Sequence, residues 1–239
     1  MRIDTFALPT VTADDVRGKT AVVIDALRAT SSIVTAFKNG CEKMIPVIEL
    51  EEAHAVAKRL GRKSVLLCGE RGGKHIESFD ISNSPLEYGA EKVGGRTLVM
   101  TTTNGTRAIN SAEGADKVFI AAFINAGATA KKLLASGGDV VIICAGSNGR
   151  FSMEDVLAAG AIISRLREAE TLSLCDLSLA AQMLYKRYSQ NLHEPMKDVG
   201  HYNYLKNTLG FQHDLDYCMQ CDTADVVPVF SCGVITAGE

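Results

Sequence analysis

Five short apolar runs in this chain each end on residues that could do chemistry. Asp25 closes AVVID and is followed by Arg28, Thr30 and Ser31; Glu70, Arg71, Gly72 and Gly73 follow SVLLC. Thr102, Thr103, Asn104, Gly105, Thr106 and Arg107 follow TLVMT, Asn125 comes after KVFIA, and VVIIC ends on Cys144 with Gly146, Asn148 and Arg150 beyond it. Carboxylates in such positions can hold a cation, guanidinium groups suit oxyanions, and hydroxyls with backbone N–H groups at a helix start can meet an anion. The combination points to an anionic ligand, with acids nearby that need a reason to be there.

The elements that must position these residues are strands and helices in alternation. AVVID (21 to 25), KMIPVI (43 to 48) and SVLLC (64 to 68) are separated by helix-like stretches, and continuously apolar strands of this kind read as a parallel sheet covered on both faces. In open parallel sheets the ligand site lies beyond the carboxyl ends of the strands, where the polar residues above fall. The same order returns at an offset of about 76 residues, pairing Thr30 with Thr106, Cys68 with Cys144 and Gly73 with Gly149. The expected fold is α/β in three layers, α/β/α, with a mostly parallel sheet built by internal duplication of a β-α-β-α-β unit (20–73 and 96–149) in one domain, 1–239. DVVPVF (225 to 230) reads as an edge strand, because Pro228 cannot donate to a central ladder.

Bulk properties exclude several classes of function. With 239 residues, 46% hydrophobic and 22% charged, the chain has the composition of an ordinary globular protein with a full core. A formal net charge of −3 argues against general binding to nucleic acid or an acidic membrane, so any anion must be met by locally placed bases. Seven cysteines without paired zinc-ligand spacing read as thiols of a reducing compartment, and the isolated C-x-x-C of Cys218 and Cys221 is weak evidence for metal or redox work. No leader-like or membrane-spanning apolar run is seen, which makes a cytoplasmic protein the default expectation.

Each candidate has a purely structural reading beside the functional one. Thr30 and Thr106 can cap helices, bind an anion, or do both. Arg28 and Arg107 sit at helix starts, where a cation is disfavoured unless an anion accompanies it. Glu154 and Asp155 open the helix EDVLAAGAIISRL, where acids are stabilising in themselves. Cys144 and Arg150 have the C-x5-R spacing of cysteine phosphatases, but Ile143 stands where those enzymes usually carry a His, so a core thiol is the simpler reading. The long Gly-rich loop GERGGKHIESFDISNSP (69 to 85) carries Lys74, Asp80, Asn83 and Ser84, and loops of that length are usually functional. His75 and His201 lie near polar clusters in the sequence and read equally well as surface residues.

Taken in order, VVIDALRATSSIVTAFKNG, GERGGKHIESFDISNSPLEY, TTTNGTRAI, AAFINAGATA and CAGSNGRFSMEDVLAAG resemble the 2-phosphosulfolactate phosphatase family over most of residues 20 to 165. The resemblance implies a magnesium-dependent phosphatase that converts 2-phospho-3-sulfolactate to 3-sulfolactate, a step of coenzyme M biosynthesis, with related 2-hydroxy-acid phosphates as further substrates. On that reading Asp25, Arg28, Glu70, Arg71 and Asn104 form the catalytic set, and Asp25 and Glu154 hold Mg²⁺ with Asp155 and Glu70 in reserve. Thr30, Ser31, Gly72, Thr102, Thr103, Gly105, Thr106, Arg107, Asn125, Cys144, Gly146 and Arg150 contact the substrate. TTTNGT becomes an anion cradle. The partner is a small phosphorylated and sulfonated metabolite; nucleic acid and membrane are not expected, and a homo-oligomer is left open. The alternative is a non-catalytic α/β protein that binds a phosphorylated metabolite. Residues 170 to 220 carry the least resemblance.

Overall fold

Period-two burial explains why the apolar runs become strands. Val22 and Ile24 pack into one hydrophobic cluster, with the helices Ala126–Ser136, Met153–Ala169 and Asp176–Tyr188, while Ala21 and Val23 pack into another on the opposite face, with the helices Ala29–Lys38 and Gly105–Ser111. The computed structural model describes residues 1–238. Its strands are β1 (Arg2–Phe6), β2 (Thr20–Ile24), β3 (Lys43–Pro46), β4 (Val65–Arg71), β5 (Lys74–His75), β6 (Thr97–Thr101), β7 (Lys117–Ala121), β8 (Val140–Cys144), β9 (Ser173–Leu174), β10 (Val229–Ser231) and β11 (Val234–Thr236). Among the described residues they form one sheet in the order β5-β4-β6-β3-β11-β10-β7-β2-β8-β1-β9.

The sheet is mostly parallel, and the α/β class follows from it. β4, β6 and β3 are mutually parallel, as are β7, β2, β8, β1 and β9. Between the two groups lies the β10–β11 hairpin, antiparallel to both β7 and β3, so the groups run in opposite senses. Exchanging β2 with β6, β3 with β7 and β4 with β8 turns the strand order β4-β6-β3 and β7-β2-β8 into its own reverse. Twist of roughly 20–25° per strand accumulates to about 100° or more over the steps from β6 to β2, which lets corners from the two groups meet.

One expectation is overturned. The chain end after Pro228 is not an edge strand: β10 is central, between β7 and β11. Pro228 lies just before the ladder, where its missing donor costs nothing, and its carbonyl accepts the Ile120 N–H at 2.9 Å. The edges are taken by short strands, β5 and β9.

Candidate active site

Two buried carboxylates staple the strand-end corners together. Asp155 Oδ1 accepts the Ala26 N–H at 2.8 Å and its Oδ2 accepts the Gly146 N–H at 3.0 Å, fixing the loops after β2 and β8 to the start of the Met153–Ala169 helix. Glu70 Oε1 accepts the Thr103 N–H at 2.6 Å, while Oε2 takes the Gly73 N–H at 2.6 Å and the Thr103 hydroxyl at 3.0 Å. A carboxylate this deeply buried needs such donors to offset lost hydration. Gly105 supplies the remaining close approach: a Cβ there would fall 2.6 Å from Ala29 Cβ and 2.8 Å from Asp25 Oδ2.

Three adjoining cavities open at this junction. The central one, of about 60 Å³, is lined by Asp25, Arg28, Glu70, Gly72, Gly73, Asn83, Thr103, Asn104, Asn148 and His201, among others. One flank, of about 400 Å³, carries Arg71, Thr102, Arg107, Glu49 and Gly149 and shares Thr103, Asn104 and Asn148 with the centre. The other, of about 570 Å³, carries Arg150, Phe151, Ser152 and Glu154 and shares Ser147, Asn148 and His201 with the centre.

Acids dominate the chemistry of the centre. Burial pushes the Asp25 carboxyl up to about 7; His201 opposes this, while the charges of Glu70 and Glu154 add to it. Asp155 is raised well above the carboxylate range by burial and by Asp25 and Glu154. Glu154 is 1% exposed, and its Oε1 lies 2.8 Å from His201 Nδ1 while its Oε2 has no protein partner. His201 is raised above its ordinary value: burial works against the imidazolium, but the Glu154 hydrogen bond and the charges of Glu154 and Asp25 outweigh it. Among the described residues, no group of three or more His, Cys, Asp or Glu side chains could by itself hold a metal ion. Asp155 and Glu70 are spent on backbone amides, which removes them from the expected ligand set and leaves Asp25 and Glu154.

The four arginines differ in what neutralises them. Arg28, 2% exposed, is ion-paired to Asp214, donates to Gly73 O at 2.9 Å, and lies 4.0 Å over the Phe211 ring. The anion that its helix-start position demands is thus the protein's own Asp214. Arg107 is exposed and reaches Glu49 at 3.6 Å. Arg71 donates to Glu70 O, Ile48 O and Thr101 Oγ1 at 2.9, 2.7 and 2.7 Å, all neutral acceptors. Arg150 is exposed on its flank.

Several expected substrate contacts serve the scaffold instead. Thr30 Oγ1 donates to Asp25 O at 2.9 Å, and Thr106 Oγ1 donates to Thr102 O at 3.1 Å, so the two matched threonines close equivalent corners. Ser31 Oγ donates to Ala26 O at 2.8 Å and is fully buried. In TTTNGT the Thr103 N–H goes to Glu70 and the Thr106 N–H to Thr102 Oγ1, so neither of these amides is offered to an anion; Thr102, Thr103 and Asn104 line the cavities. Asn125 spends its amide on Ala122 N, Ile120 O and Val226 O and lines none of these cavities. Cys144 is fully buried, and burial, with Asp155 and Glu154 adding to it, pushes its thiol far up, so it is a core thiol and no nucleophile. Gly146, at φ +68°, permits the turn that brings its N–H to Asp155.

Residues 7–233 match the family model described as 2-phosphosulpholactate phosphatase. The chain belongs to the 2-phosphosulfolactate phosphatase family. It is thereby placed among the phosphoric monoester hydrolases. Proteins named probable 2-phosphosulfolactate phosphatase are 44% identical over 225 residues in Caldanaerobacter subterraneus subsp. tengcongensis (94% of this chain, 93% of the relative) and 45% over 242 residues in Clostridium beijerinckii (99% of each). A third, from Caldicellulosiruptor saccharolyticus, is 46% identical over 237 residues, 96% of this chain and 97% of its own. No helix among the described residues is long and apolar enough to cross a membrane.

The segment of least resemblance supplies residues that had no role assigned from the sequence, among them His201, which reads there equally well as a surface residue. His201, Leu205 and Tyr204 follow Val199, and Asp214 and Phe211 lie just beyond; together they close over the Gly72–Gly73 turn, with the Tyr204 hydroxyl donating to Gly72 O at 3.1 Å. Asp214 also accepts the Ser84 hydroxyl at 2.8 Å, which ties the Gly-rich loop to the same segment. A buried-pair partner for Arg28 was the only signal available, and an acid far along the chain cannot be chosen by spacing.

Proposed function

We propose that the protein hydrolyses 2-phospho-3-sulfolactate to 3-sulfolactate and inorganic phosphate with magnesium, and accepts related 2-hydroxy-acid phosphates less well. The observation that carries this is the Glu154–His201 pair beside Asp25: a buried carboxylate with one oxygen unpartnered, at a cavity flanked by arginines. Carboxylates facing an anionic ligand repel it unless a cation intervenes, so the donor set fits a hard divalent ion better than it fits bare anion binding. Mg²⁺ is commonly held by one or two carboxylates plus waters and substrate phosphate, which matches Asp25 and Glu154 Oε2 as its only protein ligands. When bound it supplies positive charge at the phosphate oxygens and a water of lowered pKa.

The chain's own residues account for positioning. Uncatalysed phosphate-monoester hydrolysis is so slow that roughly 20 kcal/mol of barrier reduction is required, and for a loose transition state most of it comes from orientation and charge. Arg28 brings a guanidinium to the central cavity that Asp214 and Gly73 O prevent from swinging away. His201 holds Glu154 by Oε1, which fixes the direction of the free oxygen. Asn104 offers a neutral amide donor on the wall between the central and flanking cavities, beside Thr103, whose own donors are held by Glu70.

Phosphate release from 2-phospho-3-sulfolactate is measured with magnesium and with EDTA, in wild type and Glu154→Gln. Release is expected with magnesium only, falling on the order of 100-fold or more in the variant, the scale of losing one charge-stabilising group. Release that survives EDTA unchanged would overturn the metal assignment. No release from any phosphate ester, with binding intact, would favour a non-catalytic binding protein.

A further inference from the structure

One half-buried cation at the cavities carries a charge that the fold itself does not explain. Of the arginines at the cavities, Arg28 has Asp214, Arg107 has Glu49, and Arg150 is exposed to solvent, while the half-buried Arg71 has no carboxylate within 4.0 Å among the described residues. Arg71 is not a free surface group either. It is half-buried at the end of β4, and three hydrogen bonds to Glu70 O, Ile48 O and Thr101 Oγ1 fix its guanidinium. Holding an unneutralised guanidinium rigid against neutral oxygens costs hydration without returning an ion pair. The cost is offset when an anion fills the adjoining 400 Å³ cavity, which Arg71 lines together with Thr102, Asn104, Asn148 and the Arg107–Glu49 pair, whose charges offset each other.

We propose that Arg71 is the sulfonate receptor of the site and so the residue that sets substrate selectivity. The assignment rests on the phosphatase reading above, in which phosphorus sits at the central cavity beside Asp25 and Glu154. Two further arguments support sulfonate over carboxylate. On the three-carbon substrate the sulfonate sulfur is one bond farther from phosphorus than the carboxylate carbon, so it is the group that extends into a flanking cavity. Both hydrogens of the Arg71 Nη2 are already given to Ile48 O and Thr101 Oγ1. Each parallel fork of a guanidinium uses an Nη2 hydrogen, so a planar bidentate grip on a carboxylate is not available. Single N–H donors remain, and they suit a tetrahedral three-oxygen group that collects a further bond from the Asn104 amide, which lines the same cavity.

The test compares three esters: 2-phospho-3-sulfolactate, 2-phospholactate, which lacks the sulfonate, and 2-(phosphonooxy)ethanesulfonate, which lacks the carboxylate. In Arg71→Gln, kcat/KM is expected to fall about 10–100-fold more on the two sulfonates than on 2-phospholactate, the range for a lost charged hydrogen bond, so that the wild-type preference for the sulfonates is lost. Arg71→Lys keeps the charge and is expected to recover part of the sulfonate preference. Because each variant is read as a ratio between esters, a general folding defect does not imitate the result. Equal losses on all three esters, or a loss confined to 2-phospholactate, would overturn the assignment. If the wild type hydrolyses none of the esters, the phosphatase reading fails separately, and calorimetry with 3-sulfolactate and lactate still decides: a wild-type preference for 3-sulfolactate that Arg71→Gln abolishes supports the receptor, and no preference refutes it.

Discussion

Removing Asp214 isolates a charge that the fold has buried. Arg28 and Asp214 are 2% and 6% exposed in their side chains, and Asp214 also accepts the Ser84 hydroxyl at 2.8 Å. In Asp214→Ala the Arg28 guanidinium keeps Gly73 O and the Phe211 face but loses its only carboxylate. Breaking one side of a buried pair costs about 3–5 kcal/mol, because the remaining charge stays uncompensated. For a chain of this length each kcal/mol moves the melting temperature by about 2–4 °C, so Asp214→Ala should melt roughly 6–20 °C below wild type. Thermal and urea unfolding read the effect, with phosphate release measured in parallel. The double variant Arg28→Met with Asp214→Leu removes both charges and should regain most of the stability, while activity stays lost because the central cavity then has no Arg28. A loss under about 1 kcal/mol in Asp214→Ala, or a double variant no more stable than the single one, would refute this account of the pair.

Cys144→Ala should leave kcat within about threefold of wild type, whereas loss of a covalent nucleophile costs on the order of 10⁶, so a near-complete loss would restore the thiol mechanism. Asp80 carries a pH dependence: burial raises it, but the Arg62 hydrogen bond, the Leu67 N–H and nearby positive charge together hold it below its ordinary value. The stability it contributes is therefore present above the unfolded carboxylate value near 4 and is lost as pH falls through its depressed folded value. Urea midpoints between about pH 6 and 3 should drop less steeply in Asp80→Asn than in wild type, and parallel curves would contradict this.

The corners legible in the sequence were those whose residues act within a few positions of themselves. Thr30 closes its turn on the backbone of Asp25, and Thr106 closes its own with Thr102, by local hydrogen bonds, so Thr just past a strand end announces the corner without any tertiary knowledge. The reading failed where one residue type serves two purposes. Asn125 has the composition of a ligand-binding corner but meets only backbone groups, and Cys144 has phosphatase spacing but no access to the cavities. Pro228 misled for a related reason: a proline excludes only the ladder position it occupies, and here it stops one residue short of β10.

Continuously apolar strands, glycine-bounded corners and the absence of an excess of basic charge were determined by the sequence alone, because each depends only on composition or on neighbours within one turn or one strand. Tertiary structure decided which acids remain available. Asp155 and Glu70 look the same as Glu154 and Asp25 in the sequence, yet the first two are consumed by backbone N–H groups from distant loops. His201 and Asp214 reach the site only because their segment packs over the Gly72–Gly73 turn, and Arg71 stands without a counter-ion only because every acceptor brought to it is neutral. The charge state and partner of a buried group are properties of what surrounds it, and those surroundings come from residues far away in the chain.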